Sequence, residues 1–211
     1  DPTLYFNTSA VWSGNAGTQT ISGIGHQPDL TWIKGVNIDT QHYIFDSVRG
    51  TTKYLIGNGT NAEATSATSL TSWNSDGFVS GSNANLNGSS RTYVAWNWKE
   101  SATAGFDIVA YTGNGSARTI SHSLSAVPHY MIHKGTTNTY NWGIYHHKLS
   151  PSDERNLNLN TTGAANVDDG GVYYNSTDPT SSVFSVGTNI GYNENTATYI
   201  AYLWSEKQGF S

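Results

Sequence analysis

The chain has 211 residues, a net charge of −5 from 10 basic and 15 acidic side chains, and no cysteine, which excludes disulfide frameworks, thiolate metal sites and cysteine nucleophiles. With no basic run, neither nucleic acid nor an anionic membrane surface is an expected partner. Charged residues are only 12% of the chain while Thr, Ser, Gly and Asn fill 94 of its 211 positions, a balance that disfavours helix and favours short strands joined by turns.

Read in chain order, the first strand-like clusters return later. Val11-Trp12-Ser13-Gly14-Asn15 and Thr18 to Ser22 reappear as Ala110 to Asn114 and Ala117 to Ser121, an offset of 99. The offset is 100 at Pro28/Pro128, Lys34-Gly35/Lys134-Gly135 and Ile44-Phe45/Ile144-Tyr145, about 102 at Leu55/Leu157, and 106 at Phe78/Phe184, Gly81/Gly187 and Tyr93 to Trp96/Tyr199 to Tyr202. Order and spacing persist along nearly the whole chain, which reads as a tandem duplication into units 1–100 and 101–211. Turn signals at Gly14-Asn15, Gly57-Asn58-Gly59, Asp76-Gly77, Asn87-Gly88, Gly113-Asn114-Gly115 and Asp169-Gly170-Gly171 cut each unit into about six to eight short strands. Helical character is confined to residues 61–70 and 150–156, the first rich in Ser and Thr and the second broken by Pro151. The alternation of Thr92 to Trp98 places Val94, Trp96 and Trp98 on one face, matched by Ile200, Tyr202 and Trp204, and this face is the expected core. The expected fold is all-β: two tandem antiparallel β-sandwich units of jelly-roll or lectin-like form, the alternative being one interleaved, pseudo-symmetric sandwich. The 12% of aromatic residues argue against disorder. No apolar stretch approaches the ~18 residues of a membrane span, and no basic-then-apolar leader opens the chain, so no membrane insertion is expected.

Chemistry is harder to find. Glu63, Glu100, Glu194 and Glu206 stand alone, and Asp153-Glu154 and Asp168-Asp169 are adjacent pairs that diverge on a strand, so no acid and nucleophile pair is expected and the chain reads as non-enzymatic. His129 and His133 resemble a helical zinc pair in spacing, but on a strand they lie roughly 13 Å apart; no metal and no cofactor is expected. Asn74-x-Asp76-Gly77 and Asp168-Asp169-Gly170 lack the bidentate Glu of a calcium loop and read as turns. Asp46 and Arg49 read as a buried pair bracing the first unit. Aromatic residues present in one copy alone are free of the repeated core, and an indole among amides can stack on a sugar face. That filter selects Tyr140, Asn141, Trp142, His146 and His147 in the second unit, and Trp73, Asn74 and Asp76 in the first, as ligand-binding candidates.

Several runs are also familiar. Tyr5 to Thr8, Ser13 to Asn15, Gln27 to Lys34, Phe45 to Leu55, Asn74 to Phe78 and Tyr93 to Lys99, with Tyr111 to Gly115 and Thr180 to Phe184, resemble an uncharacterised repeat family in virion proteins of marine bacteriophages. Such proteins are tail-fibre-like or lectin-like and carry no assigned catalytic residues. The resemblance implies a virion or extracellular location and a module that adheres to the host surface through glycans. Its alternative is a structural decoration or fibre-building repeat, and its least favoured reading a polysaccharide hydrolase. The implied partners are host-surface glycans or other virion subunits, further copies of this chain included. Asn97 and Leu203 stand where relatives carry cysteine, a departure expected to affect packing rather than reactivity.

Overall fold

The computed structural model describes residues 1–149, 156–166 and 170–209. Its contacts divide the chain into two units, the first of Asp1–Asn58 and Glu63–Glu100, the second of Gly59–Ala62 and Ser101–Ser211. The first unit contains β1 (Phe6–Thr8), β2 (Trp12–Ser13), β3 (Gln19–Ile21), β4 (Leu30–Gly35), β5 (Tyr43–Asp46), β6 (Lys53–Ile56), β7 (Ala64–Thr65), β8 (Leu70–Asn74), β9 (Gly77–Ser80), the single turn α1 (Ala84–Asn87) and β10 (Thr92–Trp98). The second contains β11 (Phe106–Thr112), β12 (Arg118–Ser121), β13 (Tyr130–Gly135), β14 (Gly143–His146), β15 (Leu157–Asn158), β16 (Val183–Val186), α2 (Ile190–Asn193) and β17 (Thr198–Trp204).

Each unit is an antiparallel sandwich. In the first, a large sheet in the order β1-β10-β4-β5-β6-β7, with β2 also on β10, covers a small sheet β3-β9-β8. In the second, β11-β17-β13-β14-β15 covers β12-β16. The order β17-β13-β14-β15 repeats β10-β4-β5-β6, and β12-β16 repeats β3-β9. Where β11 runs unbroken along β17, the first unit has two strands. Phe6 faces Trp98 and Trp12 faces Tyr93, six residues spanning the five that separate Phe106 and Tyr111 opposite Trp204 and Tyr199. The extra residue is a bulge. There the Ser9 amide donates to the Ala95 carbonyl at 2.9 Å, and the Ser9 hydroxyl replaces a ladder carbonyl by accepting the Ala95 N–H at 3.0 Å. The sequence offset of 99 just after this point, against 100 at Phe6/Phe106, is that bulge.

Each sandwich encloses its own apolar core. Ile21, Leu70 and Phe78 of the small sheet meet Ile33, Tyr43, Phe45, Tyr93 and Ala95 of the large one. Ile120, Phe184 and Val186 likewise meet Met131, Tyr145, Ala201 and Leu203. The core therefore lies on the face opposite to that expected. Tyr93, Ala95 and Asn97 are buried between the sheets, whereas Val94, Trp96 and Trp98 lie on the outer face and are half-buried; in the second unit Trp204, equivalent to Trp98, is half-buried too, but Ile200 and Tyr202 on that same outer face are buried as expected. Both faces of these strands are apolar enough to mislead a choice made by hydropathy, and satisfied polar groups decide it. The buried Tyr93 hydroxyl accepts from the Gly88 N–H at 2.9 Å and donates to the Ala84 carbonyl at 3.0 Å, tying down α1. Tyr199 does the same for α2 through Glu194 N–H and the Ile190 carbonyl, at 2.8 and 2.6 Å. Asn97, also buried, accepts from the Thr31 hydroxyl at 3.0 Å.

The helical turns also fall away from residues 61–70, which hold β7 and the start of β8; residues 150–155 lie outside the described part. They sit at Ala84–Asn87 and Ile190–Asn193, where Asn83 and Asn189 cap the first turn by accepting from Asn85 and Gly191 N–H at 2.9 and 2.8 Å. A buried Asn closes each turn: the Asn87 amide donates to the Gly17 and Gly81 carbonyls, and the Asn193 amide to those of Ser116 and Gly187. The expected Asp46–Arg49 brace is present. The Arg49 Nε donates to Asp46 Oδ2 at 2.5 Å, with Glu63 at 3.4 Å, and the Asp46 and Arg49 side chains are 0% and 5% exposed.

Candidate functional site

The first-unit candidates do not assemble into a site. Trp73 stands opposite Phe78 in the β8–β9 hairpin and packs, half-buried, on the core. Asn74 faces Gly77 across the turn that Ser75 and Asp76 make. The Asp76 carboxylate folds back onto the chain, accepting from Gly23 N–H at 2.9 Å and Gly25 N–H at 2.6 Å, and these hydrogen bonds hold its pKa below the ordinary value. The turn reading is correct, and Asp76 is engaged. Asp168 and Asp169 lie outside the described residues. Among the described residues no cluster of three His, Asp or Glu is placed to hold a metal ion.

The second-unit candidates are divided. Trp142 is not a displayed indole: it is 0% exposed, its indole N–H donates to the Gly59 carbonyl at 3.1 Å, and its backbone N–H donates to Asn160 Oδ1 at 3.0 Å. A residue at the entrance to β14 with its carbonyl also accepting from Leu159 N–H at 3.0 Å is part of the packing. Strand β14 then carries the chain away, so that Tyr140 and Asn141 remain at one cleft while His146 and His147 reach another.

The first cleft, of about 270 Å³, is lined by Tyr140, Asn141, Asn156, Asn158, Asn166, Tyr173, Asn189, Gly191 and Tyr192. Its amides arrive from four places in the chain. Asn156 and Asn166 exchange backbone hydrogen bonds of 3.0 and 2.8 Å, Asn158 lies two residues along on β15, Asn189 caps α2, and Asn141 precedes β14. Local bonds fix them without exhausting them. Asn141 Oδ1 accepts from Asn160 at 2.9 Å and Asn189 Oδ1 from Gly191 N–H, which leaves both NH₂ groups available, and the Asn158 and Asn166 amides make no side-chain bond among the described residues. The floor is Tyr192, whose hydroxyl donates to Asn156 Oδ1. Tyr192 can sit there because position 143 is glycine; a Cβ at Gly143 would overlap the Tyr192 hydroxyl. At the matching positions of the first unit stand Tyr43 and Leu86, so the bulk lies on the strand there and on the helical turn here. Next to Tyr192 is His133, opposite Gly143 on β13, where the first unit has Ile33. His133 is 1% exposed among Tyr174, Phe184 and Tyr192, and neither ring nitrogen has a partner. Burial lowers its pKa to about 3, so the ring is neutral.

The second cleft, of about 280 Å³, is lined by His129, Tyr130, His146, His147, Trp204, Ser205 and Glu206. Here the pairing register Phe106–Trp204–Tyr130–His146 lines up four rings on adjacent strands, with centroid separations of 5.0, 5.4 and 6.1 Å. His129 and His147, joined by a backbone bond of 2.9 Å, stack with ring centroids 4.1 Å apart and planes 5° from parallel. Sequence reasoning missed most of both clefts. The Asn156, Asn158, Asn160 alternation was a usable signal, since period-two spacing puts three amides on one strand face.

Among curated proteins and among solved structures, no match to the chain is found. The family model described as a domain of unknown function, DUF7483, matches residues 1–211, and the chain therefore belongs to that family.

Proposed function

We propose that the chain is a non-enzymatic adhesion module of a virion appendage, and that the amide cleft of its second unit holds a neutral saccharide ring. The observation that carries this reading is the cleft lining: five asparagines and three tyrosines, several with unspent NH₂ and carbonyl groups, and no charged side chain among the described lining residues. Amides both donate and accept, as sugar hydroxyls do, and a phenol ring offers a face for the C–H side of a pyranose. A volume of about 270 Å³, just below the roughly 300–1,000 Å³ typical of ligand clefts, suits one ring better than a long chain. The resemblance to virion proteins supports the location and the host-surface partner. The weak overall charge agrees with a neutral ligand held by contact rather than by steering.

A glycan array tests this with the parent and an Asn158→Ala/Asn166→Ala variant. Both side chains line the cleft and make no side-chain bond among the described residues, so the variant should melt with the parent and lose at least tenfold in affinity for the neutral glycans the parent retains. A parent that retains no glycan, or a variant that binds equally well, would count against the proposal.

A further inference from the structure

The second cleft is built from residues that the first unit does not share. At the register of His129, Tyr130, His146 and His147 the first unit carries Asp29, Leu30, Asp46 and Ser47, and Asp46 there is consumed by Arg49. Three imidazoles and one added phenol ring have thus been set on an otherwise repeated sheet end. Five of the seven lining residues are rings, which suits a ligand with flat C–H faces. Among the described residues the charges that face the imidazoles are few. Glu206 from the end of β17 approaches His129 Nδ1 at 3.5 Å, but its side chain is 72% exposed at the rim. Lys148 follows His147, its backbone N–H donating to His146 Nδ1 at 3.1 Å, and Tyr130 is held neutral by burial. Among the described lining residues Glu206 is the one carboxylate, set against three imidazoles.

We infer that this cleft binds an acidic saccharide unit, a hydroxylated ring bearing a carboxylate, with the ring against Tyr130 and Trp204 and the carboxylate accepting from ring N–H groups of His129 and His147. The His129 ring stacked at 4.1 Å opposes a positive charge on His147, and an anion beside the N–H edges offsets that opposition. The direction of the His147 shift agrees: enclosure lowers its pKa first, then His129, Lys148 and His146 lower it further, and Glu206 opposes them. A bound carboxylate acts as Glu206 does, only closer, so binding takes up protons.

Trigalacturonic acid titrated by calorimetry into the whole chain at pH 5.5 and pH 8.0 tests the inference, with galactotriose and sodium acetate as controls. Binding is expected at pH 5.5 with net proton uptake, at least tenfold weaker at pH 8.0. His147→Gln, which keeps a polar side chain but cannot become cationic, should weaken it at least tenfold at pH 5.5. Glu206→Gln should tighten it. No binding at pH 5.5, equal affinity at both pH values, or acetate binding as tightly as the trisaccharide would overturn the proposal. The Asn158→Ala/Asn166→Ala variant separates the two clefts: it should bind trigalacturonic acid unchanged. If it loses that ligand while His147→Gln retains it, the acidic sugar belongs to the amide cleft and this proposal fails.

Discussion

Replacing His133 by the Ile of the first unit should make the protein more stable, and increasingly so as the pH falls. The imidazole is 1% exposed and neither nitrogen is hydrogen-bonded. A buried polar group left unpaired costs about 1–3 kcal/mol, and Ile33 shows that the same register position accepts a β-branched apolar side chain. A second contribution comes from titration. The folded pKa is about 3 against an ordinary 6.5, so the folded ring stays neutral while the unfolded ring takes up a proton. Stability tied to the neutral ring is therefore complete above pH 6.5 and is lost as the pH falls from there toward 3. At about 1.4 kcal/mol per pH unit, the loss by pH 5 is about 2 kcal/mol. Urea unfolding of the parent and His133→Ile at pH 7.5 and pH 5.0 measures both effects. The variant should lead by about 1–3 kcal/mol at pH 7.5 and by about 2 kcal/mol more at pH 5.0. His26, His42 and His147, whose pKa values are also lowered, are common to both proteins and cancel in the difference. A gap that does not change with pH would refute the argument, because it would mean that His133 titrates freely in the folded protein.

Three further outcomes follow from the packing. Trp142→Ala should cost about 3–5 kcal/mol in urea unfolding, since the indole is fully enclosed and hydrogen-bonded to Gly59; a surface aromatic would cost little. Arg49→Met should cost about 3–5 kcal/mol by removing the cationic partner of the buried Asp46 carboxylate, and Asp46→Leu/Arg49→Met less than that single change, the sign a double-mutant cycle reads for a buried pair. Gly143→Tyr alone should destabilise by collision with the Tyr192 hydroxyl, and Tyr192→Leu beside it should recover much of the loss, measured as a positive coupling in thermal melts, because the pair then restores the Tyr43 and Leu86 arrangement of the first unit.

Much of the fold was legible because it depends on pattern. The turn signal at Asp76-Gly77 marks the β8–β9 hairpin, those at Gly14-Asn15 and Gly113-Asn114 fall where the chain leaves one sheet for the other, and the offset series aligns strands that do occupy the same place in the two sheets. The face of β10 was not legible. Alternation says which residues lie together, and hydropathy then favoured Trp96 and Trp98 over Tyr93 and Asn97. The choice is reversed by two hydroxyl bonds from Tyr93 to α1 and one from Thr31 to Asn97, contacts between residues far apart in sequence whose geometry no period reveals. The single helical turns were equally hidden, since four residues capped by Asn83 or Asn189 are too few for a 3.6-residue period to register.

The candidate site was harder still, for a reason the two units make explicit. Aromatic residues without a counterpart in the other unit were expected to be free for a ligand, yet such a difference also arises when two similar cores are packed differently. Tyr43 against Gly143, Leu86 against Tyr192 and Ile33 against His133 are one coupled exchange of volume around the same cavity, and Trp142, beside it, is enclosed rather than displayed. The filter succeeds only when paired with register: His129, Tyr130, His146 and His147 differ from their counterparts and lie at a sheet end, where a side chain can change without refilling a core. Proximity in sequence misled in the same way. Asn141 and His146 are five residues apart, but a strand that alternates sides and crosses the sheet sends them to different clefts, while Asn156, Asn166 and Asn189, spread over more than thirty residues, meet at one. In a sandwich made of short strands, the neighbours that form a site are chosen by pairing across the sheet, and the most informative part of the sequence is therefore the register that links distant strands.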